Sequence, residues 1–131
     1  MESRMTPLAW ADAMEDRFID FAARICDVVE SLPDNRKGRH IAGQMIRSGT
    51  SPAPNYAEAC AAESRADFVH KLGIVLKELR ETRVWLKLAV RSQCLPSKRL
   101  QPLIDECTEL MNITGKSITT AKAAATSKKR R

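Results

Sequence analysis

Glycine and proline are scarce in this chain, five and six among 131 residues. A small β-sandwich needs such residues at many tight turns, so their scarcity argues against one. Aromatic residues are few as well, with two Trp, one Tyr and three Phe. That is too few for a platform on which single-stranded nucleic acid stacks its bases. No run of eighteen apolar residues occurs, so no segment is expected to span a membrane. The opening Met1-Glu2-Ser3-Arg4-Met5 lacks the basic-then-apolar pattern of a secretory signal. Cys26, Cys60, Cys94 and Cys107 are scattered with no Cys-x-x-Cys pair. Neither a disulfide framework nor a zinc site is expected, and reduced thiols fit a cytoplasmic protein.

Catalytic signatures are missing too. His40 and His70 have no serine or cysteine at a nucleophile spacing, and no Glu-x-x-His repeat is present to hold two metals inside a bundle. Ser48-Gly49-Thr50-Ser51 looks like part of a phosphate loop, but it lies between helical stretches and no Gly-Lys follows it. The expectation is a binding protein without enzymatic activity, cofactor or metal.

Acidic residues stop at Glu109. Residues 1–115 carry sixteen Lys and Arg against sixteen Asp and Glu, so the +6 net charge belongs entirely to Lys116, Lys122, Lys128, Lys129, Arg130 and Arg131. A neutral body with a basic end differs from a basic body. Such an end either attracts phosphate weakly and salt-sensitively or serves only as a solubilising terminus.

The apolar residues recur at helical spacing in four segments. The first runs from about Pro7 to Ser31, with Thr6 as N-cap and Pro7 where a missing N–H costs nothing. Its stripe is Phe18, Phe21, Ala22, Ile25, Val28, Val29 and Leu32, and Leu32-Pro33-Asp34-Asn35 ends it. The second runs from about Gly38 to Ala62. It opens a face with Ile41, Ala42, Met45 and Ile46, then meets Pro52 and Pro54, where a kink is expected. The third runs from Ser64 or Arg65 to about Ser92, with Ser64 as cap and Asp67 three residues on. The fourth begins near Ser97 and extends to about Lys122, with Leu100, Leu103, Ile104, Cys107, Met111 and Ile118 as its stripe. Short connections make neighbours antiparallel, so the fold class is all-α, an antiparallel up-and-down four-helix bundle over residues 1–122, with a basic, flexible tail over 123–131.

The third segment carries three faces. Phe68, Leu72, Val75, Leu79, Leu86 and Val90 form its core stripe. Lys77, Arg80, Arg83, Lys87 and Arg91 form a basic stripe, either a solvated face or a set of phosphate contacts alongside Lys128, Lys129, Arg130 and Arg131 of the tail. Ile74, Trp85 and Leu88 line the far side with Glu78 and Glu81. An aromatic on a non-core face is either an isolated exposed residue or the anchor of a subunit interface, and the interface is the favoured reading.

Five sequence blocks resemble a known family. Ile41-Ala42-x-Gln44, Arg47-Ser48-Gly49-Thr50-Ser51 and Asn55-Tyr56-Ala57-Glu58-Ala59 follow one another. They continue into Ser64-x-x-Asp67-Phe68-Val69-x-Lys71-Leu72-Gly73-Ile74-Val75-Leu76-Lys77-Glu78 and Glu81-Thr82-x-x-Trp85-Leu86. Over residues 41–88 this is similar to the four-helix bundle proteins also called 23S ribosomal-RNA intervening-sequence proteins. The resemblance implies a bacterial, cytoplasmic bundle that assembles into a homo-oligomeric ring, typically a pentamer. It also implies RNA or a ribonucleoprotein as partner, in a family whose biochemical role is largely undefined; the competing class is a protein-only scaffold. One related branch, the accessory proteins of diversity-generating retroelements, is basic over its whole body. Here the body is neutral. Pro52 and Pro54 also replace the small or aliphatic residues usual in the family. Among the matched residues, Arg47 can pair with Glu58, Glu78 or Glu81 at a bundle or subunit seam, and Asn55 can instead satisfy backbone carbonyls freed by the prolines.

Overall fold

The computed structural model describes the backbone of residues 5–130 and the side chains of residues 5–126. It contains α1 (Pro7–Ser31), α2 (Arg36–Thr50), α3 (Pro52–Cys60), α4 (Arg65–Arg91) and α5 (Ser97–Arg130). The pair α2 and α3 is one bundle helix bent at residues 51–52, so the architecture is a four-helix bundle. α1 packs on α2, α3 and α5, and α4 packs on the same three, while the backbones of α1 and α4 do not come close to each other. They are therefore diagonal partners across the bundle, and their outer faces point away from each other.

Local chemistry places the helix starts. Thr6 Oγ1 accepts the Ala9 N–H at 3.1 Å, and Ser64 Oγ accepts the Asp67 N–H at 3.0 Å. Each satisfies one of the donors a helix leaves open at its first turn. Asn35 Oδ1 accepts the Gly38 N–H at 2.9 Å, so α2 begins at Arg36, two residues earlier than the apolar pattern indicates. Gly38 is needed in that turn because a Cβ there would lie 1.9 Å from the Pro33 carbonyl oxygen. At the other end, α5 continues to Arg130, past Lys122, through the strong helix formers Ala123, Ala124 and Ala125. The side chains of Lys128, Lys129 and Arg130, and all of Arg131, lie outside the described residues, as does Met1–Arg4.

The bend has a covalent cause. Pro52 and Pro54 have no N–H to give to the carbonyls of Ser48 and Thr50, so two helical bonds are missing in succession. Ser51 still keeps helical angles (φ −64°, ψ −37°), and the chain turns without leaving the helical region. The Asn55 side chain donates to the Ser51 carbonyl at 2.9 Å and to Ser51 Oγ at 3.0 Å. Asn55 thus braces the bend through Ser51 and not through the two carbonyls that the prolines leave without donors.

The core follows the apolar stripes with a few differences. Phe18, Phe21, Ile25, Met45, Leu72, Val75, Leu79 and Leu86 are fully buried, and Phe18 lies 4.8 Å, centroid to centroid, from Tyr56 of α3. Burying each large side chain contributes on the order of 2 kcal/mol. Phe68, Val90 and Ile118 are only partly buried at the edge of the core, and Ile46 is exposed. Ile46 shares its turn with Met45 but falls on the side of α2 that no neighbour covers. Among the described residues no helix is long and apolar enough to cross a membrane.

α1 and α2 approach closely at Gly49, where a Cβ would lie 2.7 Å from Ile25 Cγ2 and 2.8 Å from Cγ1. These atoms are at the stiff base of a β-branched side chain and have little room to yield. Gly43, one and a half turns earlier, has open space around it. Gly43→Ala is therefore expected to stabilise the fold by about 0.5–1 kcal/mol through helix propensity. Gly49→Ala is expected to destabilise it by about 1–2 kcal/mol through overpacking. Urea unfolding midpoints of the two variants, moving in opposite directions, check this.

Candidate nucleic-acid and protein interface

Some of the residues that carry the family resemblance build the interior side of the bend. Ser48 and Thr82 are both fully buried, and their hydroxyls share a hydrogen bond of 2.9 Å. The Thr82 hydroxyl also reaches the Glu78 carbonyl at 2.7 Å. Thr82 has one proton and gives it to that carbonyl, so Ser48 donates to Thr82 and both hydroxyls are satisfied. This buried hydroxyl pair joins α2 to α4, and loss of Thr82 would leave the Ser48 hydroxyl buried without a partner. Ser48-Gly49-Thr50-Ser51 is accordingly occupied by packing, and its likeness to a phosphate loop is superficial.

On the flank of α4 that faces α2, Arg47 contacts two carboxylates. Its guanidinium lies 3.3 Å from Glu78 Oε2 and is also paired with Glu81. Glu81 accepts the Trp85 indole N–H at 3.1 Å, and the Trp85 ring meets His40 edge-on at 5.8 Å. The sequence reading placed Ile74, Glu78, Glu81 and Trp85 on a side away from the core. In the structure Trp85 packs against the core cluster and the carboxylates face Arg47 within the same chain. The reason is the packing of a bundle helix against two neighbours, which leaves only a narrow arc of α4 open. Arg47 is half exposed, so the pairing contributes at most about 1 kcal/mol. Glu58 instead pairs with Lys71 at 3.0 Å, joining α3 to α4.

The open arc of α4 holds the basic stripe. Lys77, Arg80, Lys87 and Arg91 are exposed, and among the described residues none takes part in an ion pair. Arg83 departs from the set. It is partly buried and donates to Thr108 Oγ1 of α5 at 3.2 Å. Between the free cations stand Val84, 60% exposed, and Leu88, 41% exposed. An exposed β-branched residue one turn from an exposed leucine is a small apolar island in a cationic field. Sequence reasoning found the cations and Leu88 but missed Val84, whose outward position follows from its half-turn offset from Leu86.

Elsewhere the polar chemistry is structural. Arg17 of α1 makes a fork of two bonds to Glu106 of α5, 2.8 and 2.7 Å, and reaches Glu109 at 2.9 Å. The Glu106 hydrogen bonds hold this guanidinium above its ordinary pKa. Among the described residues every buried side-chain N or O has a partner, and no cluster of metal-ligating side chains forms. A groove of about 1230 Å³ opens at one end of the bundle between Trp10, Phe68, Ile113 and the alanine face Ala121, Ala124 and Ala125.

Cys107 lies in the core, its thiol donating to the Leu79 carbonyl at 3.2 Å. Burial pushes this thiol up to about 12, so it stays protonated near neutrality. A folded-state pKa raised above the unfolded value of 9.0 gives stability that is fully present below pH 9.0 and is lost as pH rises toward 12. Burial raises Tyr56 and Cys60 as well, and both act with the same sign. Unfolding midpoints are thus expected to fall between pH of about 9 and about 11, and Cys107→Val is expected to flatten that fall.

A family model described as 23S rRNA-intervening sequence protein matches residues 12–116 of the chain. Among solved structures the chain is similar to a protein with unknown function from the S23 ribosomal protein family of Bacteroides thetaiotaomicron VPI-5482. The two are 36% identical with a TM-score of 0.75, over 79% of this chain and 96% of the other. No curated protein matches the chain.

Proposed function

The chain belongs to the 23S rRNA-intervening sequence protein family, and on that basis we propose that it is a non-enzymatic, cytoplasmic, homo-oligomeric protein that binds RNA or a ribonucleoprotein through the outer face of α4. The observation that carries this reading is the row Lys77, Arg80, Lys87 and Arg91, four exposed cations with no carboxylate partner among the described residues. Ion-paired cations must give up a partner before they meet phosphate, whereas these need only release solvent and counterions. With so few aromatics in the chain, the contact is to phosphate and to helical shape and not to unstacked bases. The basic residues from Lys116 onward add long-range attraction at the end of α5.

A protein-only scaffold is the second reading, favoured by Val84 and Leu88, since an apolar island inside a charged surface suits a protein partner. Filter binding to a structured RNA separates the two. Four phosphate contacts predict an affinity about a hundredfold weaker at about 200 mM than at about 50 mM salt. Replacing Lys77, Arg80, Lys87 and Arg91 together by Ala is expected to weaken binding and flatten that dependence, and deleting residues 122–131 to weaken it less. No binding at the lower salt would leave the scaffold reading.

A further inference from the structure

The outer face of α1 carries the opposite sign to the outer face of α4. Asp12, Asp16, Asp20, Asp27 and Glu30 are exposed there, and among the described residues none is in an ion pair. The α1 cation Arg17 is turned inward onto Glu106 and Glu109, and Arg24 borders the acidic face without interrupting it. Within this acidic row stand exposed Ala23 and Ile19, the latter 49% exposed. Each face is thus a charged ridge with a small apolar centre, and the two ridges differ in sign.

Their spacings also agree. Asp16, Asp20, Asp27 and Glu30 are separated by steps of four, seven and three residues. Read backwards, Arg91, Lys87, Arg80 and Lys77 follow the same steps. When two antiparallel helices are aligned with Asp27 level with Arg80, the other pairs fall level as well. These are Asp16 with Arg91, Asp20 with Lys87 and Glu30 with Lys77, over a length of about 21 Å at 1.5 Å per residue. The same alignment sets Ile19 level with Leu88 and Ala23 level with Val84, so the apolar centres coincide. Arg83, which would come level with Arg24, is turned away onto Thr108.

We infer that the outer face of α1 on one copy docks antiparallel along the outer face of α4 on a second copy. The inference rests on the reading of α4 as the docking face and names a second occupant for it. Within one molecule the two faces cannot meet, because α1 and α4 are diagonal in the bundle. The contact is therefore heterologous, and each bound copy still offers one free acidic and one free basic face. Since the register inverts each successive copy, repetition extends the assembly along a line, and a closed ring requires some other face. RNA and α1 compete for the same four cations, so a polyanion loosens this contact.

Sedimentation of the full chain tests it. At low salt the average mass is expected to rise with protein concentration, and to fall when salt or a structured RNA is added. Arg80→Glu and Asp27→Lys are each expected to weaken self-association about tenfold or more, because each sets like charges level. An equimolar mixture of the two variants restores association, since Glu at position 80 of one copy then meets Lys at position 27 of the other. Circular dichroism verifies that both variants are folded. Unchanged mass in the single variants, a mixture no better than either alone, or a mass fixed at all concentrations and salts overturns the inference. RNA binding is read separately: Arg80→Glu is expected to lower it and Asp27→Lys to leave it intact. Charge-swap rescue without RNA binding removes only the RNA reading, and RNA binding without rescue removes only this contact.

Discussion

The arrangement of the bundle depends on a close approach that leaves no room for a side chain at Gly49. There the backbone of α2 lies against the branch of Ile25 on α1, while one residue earlier Ser48 is joined to Thr82 on α4 through a buried hydroxyl pair. α2 is thereby held between two helices whose backbones stay apart, on opposite sides of the core. Immediately afterwards the prolines bend the helix, and α3 carries Tyr56 onto Phe18. A bulkier residue at Gly49 would lift α2 off α1, and loss of the Thr82 hydroxyl would leave the Ser48 hydroxyl on α2 without its acceptor. Arg47–Ser51, Asn55, Tyr56 and Thr82, all among the residues by which the family is recognised, gather at this place. Those at the bend answer to a packing constraint.

From that constraint follows the distribution of charge. Where helices meet, opposite charges are used up across the joint: Arg17 with Glu106 and Glu109, Arg47 with Glu78 and Glu81, Lys71 with Glu58. Among the described residues the outward arcs of α1 and α4 have no such partners. One is left acidic and the other basic, on opposite sides of the molecule. A body whose formal charges sum to zero over residues 1–115 is consequently polar across its width. Net charge hides this, because it adds the two faces together. A polar body of this kind can attract a polyanion with one side and a copy of itself with both.

Much of this was legible in the linear sequence. The 3.6-residue periodicity specified four helices and most of the core. Thr6 and Ser64 marked helix starts, and Pro52 with Pro54 marked the bend, because each of these effects acts within a few residues. Ile46 and Trp85 were misplaced by the same reasoning. Periodicity tells which residues share a face of a helix, but not how many neighbours that helix has. From spacing alone Arg47 could pair with Glu58, Glu78 or Glu81 at a bundle or subunit seam, and the position of α2 selected Glu78 and Glu81 within the same chain.

Sequence by itself determined the element types, the bend, the confinement of the net positive charge to residues after Glu109, and the rows of like charge along single helices. These depend on local sterics, backbone donors and residue spacing, all of which are written in order along the chain. Tertiary structure decided which rows were neutralised and which were left open. It turned Arg83 onto Thr108 and Arg17 onto Glu106, placed Val84 outside, and set α1 and α4 on opposite sides. Whether a charge is spent inside or offered outside depends on what lies across from it, and that is a property of helix neighbours far apart in sequence.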